Sequence, residues 1–222
     1  MLKERLESVE ERIARAAARA GRRREEITLL AVTKKFPVPA IEEAADLGIR
    51  DFGENYVQEF ESKRPGLAAV SGVRFHLIGH LQANKARKAL DLFDMIQTVD
   101  SERLVRRLNE AAAAPIDVML EVKLSTEEAK TGVSPEDLPQ LVEAVRNCSN
   151  LRLRGLMTMP PWSDEAEPSR PYFRQLRKLA EANGLMGLSM GMSHDFEVAI
   201  EEGATTVRIG TALFGRRPKP AP

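Results

Sequence analysis

This chain has one cysteine, two tyrosines, no excess of either charge and no long apolar run. A single thiol, Cys148, excludes a disulfide framework and a multi-thiolate metal site and fits a reducing compartment; it reads as a small packing residue. The 33 basic side chains are balanced by 33 acidic ones, which leaves no electrostatic footprint for nucleic acid. The basic run from Asn84 to Lys88 accordingly reads as a solvated helix face. No apolar stretch approaches the length that spans a bilayer. Glu4, Glu7, Glu10 and Glu11 argue against a transit peptide, and the same segment lacks the continuous apolar centre of a secretory signal. His76 and His80 are four apart but straddle Gly79 at a strand end, so helical two-histidine ligation is not available and no metal is expected. The expectation is a cytoplasmic protein without nucleic-acid or membrane partners, folded as one domain over residues 1–222.

What the chain does have is alternation. Leu2, Leu6, Val9, Ile13, Ala16 and Ala20 recur at three- and four-residue steps, predicting a leading amphipathic helix within residues 1–21 that Gly21 ends. Extended apolar stretches then follow at residues 27–33, 50–53, 74–78, 95–99, 116–122, 151–157, 185–190 and 206–209. Between them, helical patterns occupy residues 38–47, 56–63, 81–90, 101–113, 135–146, 169–182 and 195–202, with Ser101 placed to cap the fourth. Eight strands separated by helices imply parallel βαβ units, and eight is the number that closes an α/β, TIM-type (β/α)8 barrel. An open doubly wound sheet is the alternative. Only TALFG follows the eighth strand before the tail, so the leading helix is expected to take the place of a missing eighth helix; residues 216–222 read as a disordered tail.

In such a barrel the C-terminal strand ends build the site. The first strand, ITLLAVTKK, ends in an amine at Lys34, a candidate for Schiff-base chemistry. Gly53-Glu54-Asn55 follow the second strand, His76 and Gly79 mark the third, and Lys123 the fifth. Met157 ends the sixth, Ser189-Met190-Gly191 the seventh, and Arg208 the eighth, which runs on to Gly210-Thr211. A barrel phosphate commonly sits where the loops after strands seven and eight meet, held by backbone N–H groups, and Ser189, Gly210 and Thr211 make a candidate cradle. A phosphate facing a lysine points to a ligand with both a phosphate and a carbonyl: pyridoxal phosphate, or a sugar phosphate in a Schiff-base aldolase.

The motifs AVTKKFP, FGENYVQE, FHLIGHLQANK, RGLMTMP, LSMGMSHDFEVAI and VRIGTALFG, in this order along nearly the whole chain, resemble those of the pyridoxal phosphate homeostasis protein family, which is similar to the barrel domain of alanine racemase. The resemblance implies pyridoxal 5'-phosphate covalently bound to Lys34 as an internal aldimine. It implies Asn55 and His76 lining the pocket, Met157 against the ring, and Ser189, Met190, Gly191, Gly210 and Thr211 around the phosphate. Arg208 falls to the pyridine nitrogen, where a fixed cation disfavours protonation and weakens the ring as an electron sink. Two positions depart from the family pattern. Lys35 adjoins the motif lysine, and His194 stands where the family commonly has an aspartate. Adjacent strand residues point to opposite faces, so only one of the two lysines can enter the pocket, and the motif position favours Lys34.

A racemase needs a second acid or base opposite its lysine. The tyrosines, Tyr56 and Tyr172, fall on predicted helices and read as packing. The expected function is therefore a monomeric, non-catalytic carrier in intracellular pyridoxal phosphate homeostasis, exchanging cofactor with apo-enzymes or the free pool. A pyridoxal-phosphate amino-acid racemase is the alternative.

Overall fold

The computed structural model describes residues 1–125 and 131–215; the tail expected to be disordered, residues 216–222, lies outside them. Eight parallel strands close into a barrel in chain order: β1 (Thr28–Val32), β2 (Asp51–Glu54), β3 (Arg74–Leu77), β4 (Met95–Val99), β5 (Ile116–Glu121), β6 (Leu151–Met157), β7 (Gly187–Met192) and β8 (Thr206–Ile209). β8 pairs back onto β1 from Thr206 opposite Thr28 to Ile209 opposite Ala31, which closes the ring and removes every sheet edge. Outside it run α1 (Leu2–Arg19), α2 (Val38–Asp46), α3 (Val57–Lys63), α4 (Ala86–Leu92), α5 (Glu102–Ala111), α6 (Leu138–Arg146), α7 (Arg170–Ala182), α8 (Phe196–Glu201) and the one-turn α9 (Thr211–Phe214). The expected barrel is borne out. Among the described residues no helix is long and apolar enough to cross a membrane.

The leading helix packs against α8 and against the one-turn α9, where a full eighth helix would lie. Its stripe of Leu2, Val9, Ile13, Ala16 and Ala17 is buried, with Ala17 rather than Ala20 completing it. Burying a Val, Leu or Ile side chain of this stripe contributes about 1.5–3 kcal/mol. Arg12 lies 4.4 Å over the Phe196 ring and pairs with Glu197 at 3.0 Å, and Arg19 meets Glu201 at 2.8 Å, so α1 lies along α8. Its other flank, Leu6 and Glu10, borders a hollow shared with Leu47 and Ile49 beyond α2.

Several boundaries differ from expectation. Residues 81–85 form a loop and a 3-10 turn before α4, and α6 begins at Leu138 because Ser134 and Asp137 bond each other in a preceding turn. Ser101 starts α5 by its backbone alone, its hydroxyl making no cap bond, and the helix stops at Ala111. Most consequential is β7, which begins at Gly187 and not at residue 185. Leu185 N–H is committed to Ala180 C=O and Gly184 N–H to Glu181 C=O, the paired bonds of a Schellman cap on α7. The strand runs on to Met192, two residues beyond the expected end.

The pleat decides what enters the barrel. Leu30, Val32 and Ile78 form a small apolar cluster of their own inside the ring. Leu29, Ala31, Phe52, Phe75, Leu77 and Val207 belong to the large core between sheet and helices. Strand residues two apart share a face, so the direction of β1 carries Lys34 inward after Val32 and turns Thr33 outward toward α3.

Candidate functional site

A hollow of about 440 Å³ opens at the C-terminal mouth of the barrel. Its wall includes Val32 and Lys34 from the end of β1, Asn55 after β2, Ile78 after β3, Met159 and Trp162 after β6, Met192 to His194 at the end of β7, and Arg208 and Gly210 to Ala212 from β8 and α9. Of the residues expected at the site, Lys34, Asn55, Arg208, Gly210 and Thr211 line this hollow. His76, Met157, Ser189, Met190 and Gly191 do not, and each has another place.

Lys34 is half-buried, while its neighbour Lys35 is exposed and does not reach the hollow. Lys35 also has φ +65, alone among the described non-glycine residues in the left-handed region. Phe36 N–H closes the turn onto Thr33 C=O at 3.0 Å, so Lys34 and Lys35 are the two central residues of a tight turn. A left-handed lysine costs about 1 kcal/mol.

Asn55 is held by close backbone approach. A Cβ on Gly79 would stand 2.1 Å from the Asn55 carbonyl oxygen, so the chain after β3 can pass there only as glycine. The Asn55 Oδ1 is buried without a hydrogen-bond partner, an acceptor on the wall of the hollow awaiting a donor.

Arg208 forms the floor. It is fully buried, and burial lowers its guanidinium to about 10 against the opposing pull of Asp195 and Glu121, so it remains a cation at neutral pH. It donates to Thr158 C=O at 2.8 Å and to Ser189 Oγ at 2.9 Å. Ser189 in turn donates to Gln97 Oε1 at 2.6 Å, and Gln97 Nε2 meets His76 Nδ1 at 2.9 Å. Since an amide nitrogen can only donate, Nδ1 accepts and Nε2 carries the proton toward Asp51 Oδ1, 3.0 Å away. Burial alone would raise the Asp51 carboxyl; the bond from His76 and the Arg74 guanidinium outweigh it and hold the group below its ordinary value. His76 and Ser189 thus lie one layer beneath the hollow, as links in a relay of donors running from Arg208 to Asp51. Met157 is fully buried, and Met190 packs in the outer core.

The loops after β7 and β8 meet as expected, but through a different serine. Ser193 Oγ accepts N–H bonds from Gly210 and Ala212, both at 3.2 Å. Gly191, with φ +90 and room for no Cβ beside Ala199, turns the chain so that Ser193 faces that pair of donors. Asp195 secures the turn by accepting Met192 N–H at 2.6 Å. His194 lines the hollow with its ring centroid 4.3 Å from that of Trp162, which is 70% exposed at the rim. Sequence reasoning gave the cradle to Ser189 instead of Ser193 because it ended β7 two residues early.

Behind the first strand end stands a second polar group. Glu54 is fully buried at the end of β2, and its Oε1 accepts from Thr33 Oγ1 at 2.8 Å and from Lys63 Nζ at 2.9 Å, while Oε2 has no partner. Burial pushes the Glu54 carboxyl above its ordinary value, against the pull of Lys63 and Thr33. Lys63, on α3, also donates to Thr33 C=O at 3.0 Å and pairs with Glu59 at 2.6 Å.

A phosphorylated aromatic aldehyde suits this hollow. Lys34 offers an amine, the Ser193 hydroxyl, its oxygen accepting from Gly210 and Ala212 N–H, can donate its own proton to an anion, and Val32, Ile78, Met159 and Met192 offer apolar walls to a flat ring. The orphaned Asn55 oxygen suits a ligand hydroxyl.

Comparison with known proteins points the same way. Residues 5–218 match the alanine racemase N-terminal domain family. The chain is 47% identical over 224 residues to the pyridoxal phosphate homeostasis protein of Pseudomonas aeruginosa, an alignment covering 99% of this chain and 97% of the relative. It is 44% identical over 228 residues to the Escherichia coli protein of that name, covering 96% and 95% of the two chains. Among solved structures it is similar to PipY of Synechococcus elongatus with PLP bound, at TM-score 0.86 and 36% identity over 97% of this chain and 100% of that one. An alanine racemase of Clostridium difficile, 14% identical with TM-score 0.70 over 88% of this chain and 53% of that one, shares the fold.

Proposed function

Since this chain belongs to the alanine racemase N-terminal domain family and, within it, to the pyridoxal phosphate homeostasis proteins, we propose that it binds pyridoxal 5'-phosphate in the barrel hollow and holds it on Lys34 as a reserve. The observation that carries this reading is the convergence of an amine, an N–H pair with a serine hydroxyl, and a buried guanidinium on one hollow. When bound, the cofactor supplies an aldehyde that condenses reversibly with a primary amine, losing water. Lys34 is the amine assigned to that linkage. Gly210, Ala212 and Ser193 take the phosphate, and Asn55 Oδ1 accepts from a ligand hydroxyl. Arg208, still a cation despite its burial, keeps a proton off a heterocyclic nitrogen set beside it.

The same residues support storage over turnover. Neither Tyr56 nor Tyr172 lines the hollow, so the phenol that a racemase sets opposite its lysine has no counterpart on this wall. The carrier works as a monomer in the cytoplasm and delivers cofactor to apo-enzymes or the free pool. The test is the absorbance spectrum of the purified chain with pyridoxal 5'-phosphate added. A visible band is expected in the wild type and in Lys35→Ala, and its loss in Lys34→Ala; a band that survives Lys34→Ala overturns the assignment. α-Hydrogen exchange of amino acids in deuterated water, dependent on Lys34, would replace the carrier by a racemase.

A further inference from the structure

The turn that presents Lys34 is unfavourable in isolation, because its third residue is a left-handed lysine where glycine or asparagine is usual. The ladder offers it little help. Thr33 N–H to Gly53 C=O, 3.0 Å, is the last strand bond before the turn. Yet both peptide groups that flank the Lys34 Cα are gripped from outside the turn. On one side, Thr33 C=O accepts from Lys63 Nζ at 3.0 Å. On the other, Lys35 N–H donates to Glu59 Oε1 at 2.5 Å. Lys63 Nζ joins the two grips, standing 2.6 Å from Glu59 and 2.9 Å from Glu54, whose Oε1 also holds the Thr33 hydroxyl.

Resting on the reading of Lys34 as the cofactor amine, we propose that Glu54, Glu59 and Lys63 are positioning residues. They form an ionic clamp that orients the Lys34 backbone so that its amine enters the hollow and that of Lys35 does not. All three come from one short stretch, β2 and α3. Glu59 and Lys63 share a helix face at i,i+4, and Glu54 ends the strand beside β1. Stability alone does not call for such a group, since a buried ion pair is commonly matched or bettered by apolar residues of the same volume. Its geometric output is specific: it fixes two peptide planes on either side of one residue. A lysine side chain magnifies any rotation at Cα into a larger displacement at Nζ, and misplacing a reacting atom by about 1 Å can cost about a hundredfold in rate.

Glu59 is the member to test, being the most exposed of the three at 24%. The wild type, Glu59→Ala and Glu59→Gln are compared in two measurements. The first is the relative acetylation of Lys34 and Lys35 by acetic anhydride without added aldehyde, read by peptide mass spectrometry. The second is the rate at which pyridoxal 5'-phosphate generates the visible lysine-linked band, alongside affinity for pyridoxine 5'-phosphate, which has no aldehyde. Glu59→Ala is expected to slow the band about tenfold and to shift the labelling ratio about threefold toward equality, with pyridoxine 5'-phosphate affinity unchanged. Glu59→Gln keeps an acceptor oxygen and is expected to behave as wild type. An unchanged labelling ratio in Glu59→Ala, a parallel loss of pyridoxine 5'-phosphate affinity, or failure of Glu59→Gln to rescue overturns the clamp. If the wild type forms no band while the labelling ratio still shifts in Glu59→Ala, the cofactor reading falls and the clamp stands.

Discussion

Within the barrel, Arg208 is steadied by a chain of neutral side chains, Ser189, Gln97 and His76, that ends on Asp51. Behind the sheet, the turn bearing Lys34 is steadied by three charged ones, Glu54, Glu59 and Lys63. The relay is satisfied at every link, each group donating to the next in one direction, so its dipoles reinforce one another and its one cation and one anion stand at opposite ends. The clamp leaves Glu54 Oε2 without a partner and holds a left-handed backbone in place. The contrast shows two ways of fixing a site group. A rigid guanidinium is fixed once two of its planar donors are held, here by the neutral acceptors Ser189 Oγ and Thr158 C=O. A flexible lysine has to be aimed through its backbone, and at the end of a strand that takes side chains able to reach main-chain groups the ladder no longer serves.

Breaking the relay at its centre is expected to have the largest effect. Gln97→Leu removes the acceptor of the Ser189 hydroxyl and the donor to His76 Nδ1 inside the barrel and is expected to cost about 2–4 kcal/mol in urea unfolding; a loss below about 1 kcal/mol would mean that the links act independently.

The two carboxylates sharpen the comparison through opposite pH slopes. Asp51 is held below its ordinary 3.8, so it contributes stability above that pH, lost as the pH falls through its lowered value in the fold. Asp51→Asn is expected to be less stable than wild type at pH 7 by about 1–2 kcal/mol, with the gap closing below pH 3.8. Glu54 is held above its ordinary 4.5, so the folded chain binds the extra proton and stability falls as the pH rises from 4.5 through the raised value. Glu54→Gln should therefore gain on the wild type, by about 1 kcal/mol, between pH 4.5 and pH 7. Parallel slopes in urea titrations of the two variants would erase the distinction.

The smallest effect concerns the turn itself. Lys35→Gly relieves the left-handed strain and is expected to stabilise by about 0.5–1 kcal/mol, seen as a raised urea midpoint. Destabilisation instead would place the strain elsewhere.

Much of the architecture was legible. The apolar strands and the helix periodicity between them are local signals, and each survived in the structure. The site was legible by strand end but not by depth. His76 and Ser189 read as polar residues of the site, yet the pleat puts them in a layer beneath Arg208, and the two-residue extension of β7 brings Ser193 to the N–H pair. Trp162 and His194 meet at the rim because the loops after the paired strands β6 and β7 converge there.

From the order of its residues alone, the chain declared eight strands, a barrel, an amine at the end of the first strand and small polar residues at the ends of the last two. Periodicity and composition suffice for those because they are properties of neighbours along the chain. Which of Lys34 and Lys35 enters the barrel was left to the closed ring. Both faces of β1 are apolar and covered, so alternation has no polar side to betray, and only pairing with β2 and β8 assigns Leu30 and Val32 to the interior. The clamp likewise joins residues 33, 35, 54, 59 and 63, a set that no spacing rule selects and that exists only once α3 is folded against the end of β1.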